Sequence, residues 1–343
     1  MNCIDTASRT VIKCVEFGGL VRAIDFDADK LLVGQRDGTI TCVKDENKME
    51  IMSSHCDGEV WGLAKNNDGC IVTSGDDNKV MFWDPATRKH TKTVKVSDRH
   101  KSVRRGASTL SRHPDSQCSR AVAINADWIA VASNDGAVSI RAASACGTET
   151  KLLTEPKEWI EVMAFSPNNA YLAVGSHDNN IYVYSTSDWS LVGKCTAHNS
   201  YIMALDWCCA SEYIRSNCGA YELLFFKAPT WDQDASGRSN TTATQWATNT
   251  VKFQWSTEGI YPSGTDGTHI NSVAGSCDKQ LLATGDDYGL VNLFRDPCRQ
   301  GGLPRCFRGH SEHVVRVMFD GANDEHLFSV GGYDQTLMQW KKC

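Results

Sequence analysis

The sequence lacks the features expected of a secreted, membrane-bound or nucleic-acid-binding protein. Its first ten residues carry no apolar signal segment, and no stretch approaches the roughly eighteen apolar residues of a membrane span. Fifteen cysteines are present without any Cys-x-x-Cys pair, so we expect reduced core thiols in a cytoplasmic protein. The net charge of −6 gives no overall reason to expect nucleic acid or a membrane as partner.

Catalytic motifs are missing as well: there is no phosphate loop, no Gly-x-Ser-x-Gly elbow and no His-Glu-x-x-His pair. Cys195 and His198 evoke zinc, but a tetrahedral site needs four ligands and no complementary pair appears. His198 is therefore assigned to a hydrogen-bond network. The pairs Asp76-Asp77 and Asp286-Asp287 fall in repeated turns, where we expect the second Asp to be structural. We predict no catalytic residue, no metal site and no cofactor.

An internal repeat organises nearly the whole chain. Strand-like alternation is followed by small residues, a tight Asp-containing turn and a second strand that ends in an aromatic residue. The spacings between successive turns are 40, 58, 43, 42, 67 and 47 residues. Most of them are near the ~40–45 residues of a WD repeat, in which each unit forms a four-stranded blade. The turn positions are Asp37, Asp77, Asp135, Asp178, Ala220, Asp287 and Asp334.

Two units carry a full set of His, Ser, Asp and Trp, which is predicted to be a buried structural hydrogen-bond network. The other units keep only parts of it, with Arg141, Tyr184, Phe226 and Phe294 in place of Trp and Ala220 in place of Asp, and are expected to rely on apolar packing. The two full sets are His55, Ser74, Asp77 and Trp83, and His310, Ser329, Asp334 and Trp340.

The predicted fold is an all-β, seven-bladed WD-repeat β-propeller with four-stranded antiparallel blades, forming a single domain over residues 1–343. An extra strand at Thr10 to Phe17 is expected to supply the outer strand of the last blade and so remove an open sheet edge. The predicted blades span about 18–54, 55–96, 118–154, 157–197, 198–255, 268–309 and 310–343, with the closing strand at 10–17.

Several segments go beyond the generic repeat. Ala173–Ser185, Ser216–Glu222, Trp246-Ala-Thr248 and Tyr261–Ser272 resemble the carboxy-terminal propeller of the echinoderm microtubule-associated protein-like family, and His55–Gly62 fits the same pattern. That family usually has Asp where this chain has Ala220. The resemblance implies a cytoskeleton-associated protein that binds tubulin, microtubules or a microtubule-associated protein. It covers roughly residues 50–340, so the chain looks like the second of the family's two propellers.

The resulting prediction is a non-enzymatic, monomeric protein-interaction platform of the cytoskeleton. An alternative with the same fold is a general scaffold that binds a short peptide of a signalling or ciliary complex. A propeller hydrolase is a remote alternative, because the acid, base or metal groups it needs are not found in the sequence.

The predicted binding surface is the top face, where the loops that precede the inner strands meet the Asp turns. Aromatic anchors among polar groups are typical of binding hot spots. A basic insertion at Ser97 to Gln117 could reach an acidic peptide from the same face or present Ser108 to a kinase, whereas a solvated loop is the simpler interpretation. The second insertion, Ala228 to Thr244, is read as a flexible loop on the opposite face. The candidate partner-binding residues are Trp159, His177, Tyr201, His269, His313, Tyr333, Arg120, Arg104 and Arg105.

Overall fold

The computed structural model describes residues 2–27, 29–45, 47–66, 68–96, 118–144, 146–261, 267–321 and 323–342. The chain divides into two compact units, Met1–Asp57 and Gly58–Cys343. In the described residues the sheets are all antiparallel: six have four strands, one has three and one has two. The seven larger sheets correspond to the seven predicted repeats, which confirms the all-β, seven-bladed WD-repeat propeller class.

The first unit contains a hairpin and one blade. The hairpin pairs β1 with β2, and the blade has the strand order β3-β4-β5-β6. These strands are β1 (Asn2–Ile4), β2 (Val11–Cys14), β3 (Val21–Asp27), β4 (Lys30–Gln35), β5 (Ile40–Lys44) and β6 (Asn47–Met52).

The second unit contains the other six blades, each a meander in which neighbouring strands follow one another in sequence. They are blade two with β7 (Val60–Lys65), β8 (Ile71–Gly75), β9 (Lys79–Asp84) and β10 (Lys89–Lys95); blade three with β11 (Ser119–Ile124), β12 (Trp128–Ser133), β13 (Val138–Ala142) and β14 (Glu149–Leu153); blade four with β15 (Ile160–Phe165), β16 (Tyr171–Ser176), β17 (Ile181–Ser185) and β18 (Leu191–Cys195); blade five with β19 (Ile202–Trp207), β20 (Tyr213–Cys218), β21 (Leu223–Lys227) and β22 (Asp232–Gln233); blade six with β23 (Ile270–Gly275), β24 (Leu281–Asp286), β25 (Leu290–Arg295) and β26 (Arg305–Arg308); and blade seven with β27 (Val314–Phe319), β28 (His326–Gly331) and β29 (Leu337–Lys341). The helical pieces are α1 (Gly237–Asn240) and the 3₁₀ helices Trp255–Ile260 and Gly267–His269.

The tight turns that end the second strand of each blade follow from the sequence. Asp77 Oδ1 accepts a hydrogen bond from the backbone N–H of Lys79 at 3.1 Å, and Asp334 Oδ1 accepts one from Thr336 at 3.0 Å. Such a bond closes a turn in which the next residue has positive φ, as at Asn78 with φ of 57°. Gly and Asn tolerate this conformation at little cost, which explains their recurrence after the turn Asp.

Blade six departs from the expected turn. Asp286 is buried, and its Oδ1 accepts from the backbone N–H groups of Tyr288 and Leu290, each at 2.9 Å. The Asp287 carboxylate is instead about half exposed and faces His269. The expectation that the second Asp of the 286–287 pair is the structural one is therefore wrong. The turn has the same length as in blade two, but its hydrogen-bonding carboxylate belongs to its first residue, Asp286, which pairs with Ile270 as Gly75 pairs with Val60.

The inner strands of the second unit surround a cavity of about 310 Å³. Its walls are β7, β11, β15, β19, β23 and β27, together with residues 248–252 of the insertion that follows blade five. The first and last of these strands meet: the N–H of Val60 donates to the carbonyl of Gly332 at 3.2 Å, and Lys65 Nζ donates to the carbonyl of Asp320. The residues that line this cavity all belong to the second unit.

The second insertion is folded rather than an open loop. Trp231 is 3% exposed and packs with Tyr171 and Trp207, and Thr241 is buried at the end of α1. Further along, Asp206 Oδ1 accepts hydrogen bonds from Thr250 N and Oγ1, each at 2.9 Å. The prediction of a flexible loop over Ala228 to Thr244 is wrong, because the buried Trp231 indole and the buried Thr241 attach this segment to blade five.

The predicted closing strand pairs elsewhere. Within Thr10 to Phe17, β2 pairs with β1 in a local hairpin, and blade seven has three strands among the described residues. The Asp5 carboxylate stabilises the hairpin turn by accepting hydrogen bonds from Ala7 N at 3.0 Å and Ser8 Oγ at 2.6 Å. The closure prediction is wrong, because a partner a few residues away costs less loop entropy than one at the other end of the chain. The single-domain boundaries stay a prediction.

Candidate functional site

One repeated backbone hydrogen bond builds the top face of the second unit. The residue before each inner strand accepts, through its carbonyl, an N–H from the Asp-containing turn of the same blade. The donor and acceptor pairs are Asp76 to Glu59, Asn134 to Cys118, His177 to Trp159, Gly219 to Tyr201, Asp287 to His269 and Gly332 to His313, at 2.9–3.1 Å. This bond holds the start of the inner strand beside the turn that ends the second strand in each of the six blades of the second unit.

Four of the predicted residues and one further residue, Trp61, stack in a continuous row that we call the aromatic ladder. Its members are Trp61, Arg120, Trp159, His177 and Tyr201. The guanidinium carbon of Arg120 lies 4.0 Å from the ring centroid of Trp61 and 4.7 Å from that of Trp159. The Trp159 and His177 ring centroids are 4.5 Å apart, and so are those of His177 and Tyr201, whose planes differ by 21°. The ladder therefore connects blades two, three, four and five.

The ladder is held from below by carboxylates. Trp61 Nε1 donates to Asp76 Oδ1 at 2.9 Å, and Asp76 Oδ2 accepts the backbone N–H of Glu59 at 3.0 Å. At the other end, His177 Nε2 lies 3.5 Å from Glu161 Oε2 at the mouth of the cavity. Two members face solvent to different degrees: Tyr201 is 37% exposed and Trp159 is half-buried. The ladder is thus rigidly supported and still offers ring surface to a partner.

A second group, the histidine cluster, contains His313 and Tyr333 of blade seven and Glu59 of blade two. His269 of blade six faces Asp287 instead, with 3.5 Å between its Nδ1 and the Asp287 Oδ2. His313 Nε2 lies 3.1 Å from Glu59 Oε2, and the ring centroids of His313 and Tyr333 are 6.1 Å apart. The hydrogen bond to Glu59 raises the pKa of His313. Burial opposes ionisation of Glu59, but hydrogen bonds from His313 and Tyr333 hold the pKa of its carboxyl below the usual value. Tyr333 is 55% exposed beside this ion pair.

The remaining site predictions had different outcomes. Arg104 and Arg105, with the rest of the basic insertion, lie outside the described residues. Trp61 was missed by the sequence interpretation, which considered only residues immediately before the inner strands and immediately before the turn Asp residues. Its place as the second residue of β7, two residues after Glu59, was the available signal.

The structural network of blade seven has the expected partners. His310 Nδ1 lies 2.9 Å from Asp334 Oδ2, and His310 Nε2 lies 2.7 Å from Ser329 Oγ. Ser329 Oγ also accepts the indole N–H of Trp340 at 2.8 Å. All four side chains therefore belong to one hydrogen-bond chain below the top face.

Blade two differs from the prediction at one position. Trp83 Nε1 donates to Thr73 Oγ1 at 2.8 Å, and the buried Ser74 Oγ has no hydrogen-bond partner among the described residues. Strand register explains this, because adjacent residues of a strand point to opposite faces of the sheet. Thr73 pairs across from Leu63 as Ser329 pairs across from Val317, so Thr73, and not Ser74, is the equivalent of Ser329. His55 and Asp77 are both buried, as predicted for structural residues.

Blade five retains a polar network despite Ala220. Glu222, two residues later, places its carboxylate oxygen Oε2 3.4 Å from His198 Nδ1 and accepts the backbone N–H of Asn199 at 3.0 Å. His198 Nε2 lies 2.7 Å from Ser216 Oγ. Glu222 therefore lies near His198 as Asp334 lies near His310, but at 3.4 Å instead of 2.9 Å. The Phe226 ring that replaces Trp is buried in an apolar cluster, as expected for a blade that relies more on apolar packing.

Comparison with known proteins identifies the family. Residues 60–342 match the model of the echinoderm microtubule-associated protein second beta-propeller. The chain belongs to this family. It is 49% identical over 336 residues to the ciliary WD repeat-containing protein ctxp80 of Euplotoides octocarinatus, covering 96% of the chain and 47% of that relative. It is also 34% identical over 337 residues to human echinoderm microtubule-associated protein-like 1, covering 95% of the chain and 38% of that relative.

The chain thus spans less than half the length of these two relatives. Among solved structures, a chain of the crystal structure of the mitotic checkpoint complex superposes with a TM-score of 0.52 at 12% identity, covering 96% of this chain and 90% of that one. At this identity the likeness supports the propeller fold alone. Within the described residues, no helix is long and apolar enough to cross a membrane.

Proposed function

We propose that this chain is a non-enzymatic protein-interaction platform of the microtubule cytoskeleton, with the aromatic ladder as its contact surface. The observation that carries the proposal is the stack from Trp61 through Arg120 and Trp159 to His177 and Tyr201. Stacked aromatic and Arg side chains are enriched among residues that dominate binding energy. The names of the relatives refer to microtubules, and we propose microtubules, their subunit tubulin or a microtubule-associated protein as the partner class.

The chemistry of the top face favours binding over catalysis. The carboxylates of Asp76, Glu59 and Glu161 are each occupied by an indole N–H, an imidazole or a guanidinium. A general acid or base must be free to exchange a proton with a substrate. We therefore propose that these carboxylates hold the aromatic rings in place. We further propose that the chain acts as a monomer, with neither a nucleic acid nor a membrane as partner.

A second candidate function keeps the surface and changes the partner. The 49% identical relative is named as a ciliary protein, which favours a scaffold that binds a peptide segment of a ciliary complex. An extended peptide laid across blades two to five would contact the ladder along its length.

Co-sedimentation with microtubules and size-exclusion chromatography with tubulin dimers test the proposal. We expect the chain to pellet with microtubules or to co-elute with tubulin, and Tyr201→Ala to reduce the bound fraction. Leu303→Ala is the matched control, because Leu303 is 91% exposed and precedes β26, at the opposite end of its blade from the Asp turn. Binding to neither form of tubulin would reject the microtubule assignment and leave the ciliary scaffold.

A further inference from the structure

Blades five and seven both contain a contact between a His and a Ser, but the other side chains beside this contact differ. Strand register makes Cys218 equivalent to Gly331, because each pairs with the first residue of its inner strand, Ile202 or Val314. Blade five therefore has a thiol, that of Cys218, which blade seven lacks. Its carboxylate is that of Glu222, which occupies a different sequence position from Asp334 in blade seven. Three side chains with metal-binding atoms meet here: His198, Cys218 and Glu222.

The spacing of the three atoms suits a small metal ion. His198 Nδ1, Cys218 Sγ and a carboxylate oxygen of Glu222 all lie within 4.8 Å of one another. The distance from Glu222 Oε2 to His198 Nδ1 is 3.4 Å, and the distance to Cys218 Sγ is 3.0 Å. Bonds of ~2.0–2.3 Å in a tetrahedral zinc site separate the ligand atoms by about 3.3–3.6 Å. The two distances to Glu222 Oε2 are within about half an ångström of these values. The third pair, His198 Nδ1 and Cys218 Sγ, lies within 4.8 Å and would close in around a bound ion.

The hydrogen bonding of His198 independently indicates a ligand between these three side chains. The His198 side chain is fully buried, yet its Nδ1 makes no hydrogen bond among the described residues. Its counterpart in blade seven, His310 Nδ1, lies 2.9 Å from Asp334 Oδ2 in a hydrogen bond. Buried nitrogens without a partner are rare and need an explanation, and an absent ion is one of the accepted ones.

The groups around the three side chains are those that a metal site requires. Ser216 Oγ lies 2.7 Å from His198 Nε2, so the ring can donate from Nε2 and keep the Nδ1 lone pair free. Asn199 holds the Glu222 carboxylate with both its backbone N–H and its side-chain amide.

We propose that His198 Nδ1, Cys218 Sγ and a Glu222 carboxylate oxygen bind one zinc ion, with water as the fourth ligand. Glu222 is 25% exposed, so solvent reaches the ion on that side. The thiol now donates to Glu222 Oε2, and on binding it loses its proton to solvent, so one proton is released for each ion. A thiolate and an imidazole favour zinc over magnesium or calcium. The ion would join the loop before β19 to the turn after β20, as the His–Asp contact does in blade seven.

Cobalt titration of the complete, chelator-treated chain tests this site. We expect one equivalent of Co²⁺ to produce a thiolate-to-cobalt charge-transfer band, which one equivalent of Zn²⁺ abolishes. Cys218→Ala should remove the band, and Glu222→Gln, which can still accept from Asn199, should weaken Co²⁺ binding at least tenfold. Cys195→Ala is the matched control, because Cys195 is buried in the adjacent blade outside the cluster, and it should keep the band.

The wild-type titration decides the matter even if a variant fails to fold. A chain that gives no thiolate band at one equivalent of Co²⁺ overturns the proposal. An equal band in Cys218→Ala overturns it as well, because the signal would then come from other thiols. Neither result depends on tubulin binding, so the zinc site and the microtubule assignment can fail separately.

Discussion

The indole of Trp83 shows how one step along a strand decides the role of a side chain. Thr73 and Ser74 are adjacent in β8 and both are buried, at 1% and 0% exposure. Only Thr73 points toward the indole and accepts its N–H. Ser74 Oγ is buried without a hydrogen-bond partner among the described residues. The two hydroxyl groups therefore contribute to stability with opposite signs.

Exchanging each hydroxyl for a methyl group tests this difference. We expect Thr73→Val to lower the free energy of unfolding by about 1–2 kcal/mol, because the indole N–H loses its acceptor. Ser74→Ala should leave it unchanged or raise it slightly, since a hydroxyl without a partner is removed. Urea denaturation of both variants beside the wild type measures the two effects. Equal losses in the two variants would show that the hydroxyls are equivalent.

Single residues were also the level at which sequence interpretation failed most often. The His, Ser and Asp pattern identified the network of blade seven, because its members have the usual spacing. It missed Glu222, since a longer side chain can reach the same point in space from another sequence position. It missed the contact between Trp61 and Arg120 as well, because sequence spacing places residues on a strand but does not define side-chain directions.

One ion pair joins two inner strands across the central cavity. Arg316 Nη2 on β27 donates to the backbone carbonyl of Glu161 on β15 at 2.7 Å and to its Oε1 at 2.8 Å. Burial alone would raise the pKa of Glu161, but the Arg316 guanidinium and the hydrogen bond with His177 hold it at about 2. The carboxylate is therefore more easily ionised in the folded chain than in the unfolded one.

This shift predicts a dependence of stability on pH. Because the folded pKa lies below the ordinary value of 4.5, the contribution of Glu161 is fully present above about pH 4.5 and disappears as pH falls toward 2. We expect Glu161→Gln to be less stable than wild type at pH 7, by about 1 kcal/mol. The difference should shrink toward pH 3. Unfolding free energies at pH 3.5, 5 and 7 measure it, and a constant difference would contradict the assignment.

Asp206 attaches the segment of residues 246–252 to blade five. Its carboxylate accepts from the backbone N–H of Thr250 and from Arg215 Nε at 3.0 Å, and the Arg215 guanidinium lies 4.4 Å from the ring centroid of Trp246. The Asp206 side chain is fully buried and that of Arg215 is 8% exposed. Removing one charge would leave the other without its partner in a buried place.

We therefore expect Asp206→Ala to cost about 3–5 kcal/mol of unfolding free energy, the range for breaking a buried ion pair from one side. Asp232→Ala is the control, because Asp232 is exposed on the edge strand β22 and should change stability by less than about 0.5 kcal/mol. Chemical denaturation compares the two. A small loss in Asp206→Ala would mean that the segment is held by apolar packing and not by this carboxylate.

The sequence was most informative about the strands and their turns. Its period predicted seven blades, since each blade repeats the same alternation and the same Asp turn. It was less informative about the insertions and the terminal strand, because the contacts of these segments depend on residues that are distant in the sequence. The strand at Val11–Cys14 forms a hairpin with its neighbour, and the insertion after blade five contributes to the wall of the cavity. Neither outcome leaves a local pattern in the sequence.

Across the chain, family membership and top-face geometry support one account. The partner class proposed above rests on the names of the relatives, and the ladder supplies a surface made of residue types that anchor protein interfaces. The central claim is that ladder residues contribute to binding and not to folding, unlike the buried networks of blades two, five and seven. Binding affinity and thermal stability must therefore be measured on the same variants.

Isothermal titration calorimetry of tubulin against wild type, Trp159→Ala and Tyr201→Ala, with a melting curve for each protein, tests this claim most directly. We predict that each variant binds with a loss of about 1–3 kcal/mol, or roughly 5- to 150-fold in Kd, while its melting temperature stays close to that of wild type. Leu303→Ala should match wild type in both measurements. Unchanged affinity in both ladder variants, or a loss of affinity that only accompanies unfolding, would contradict the account and place the partner on another surface.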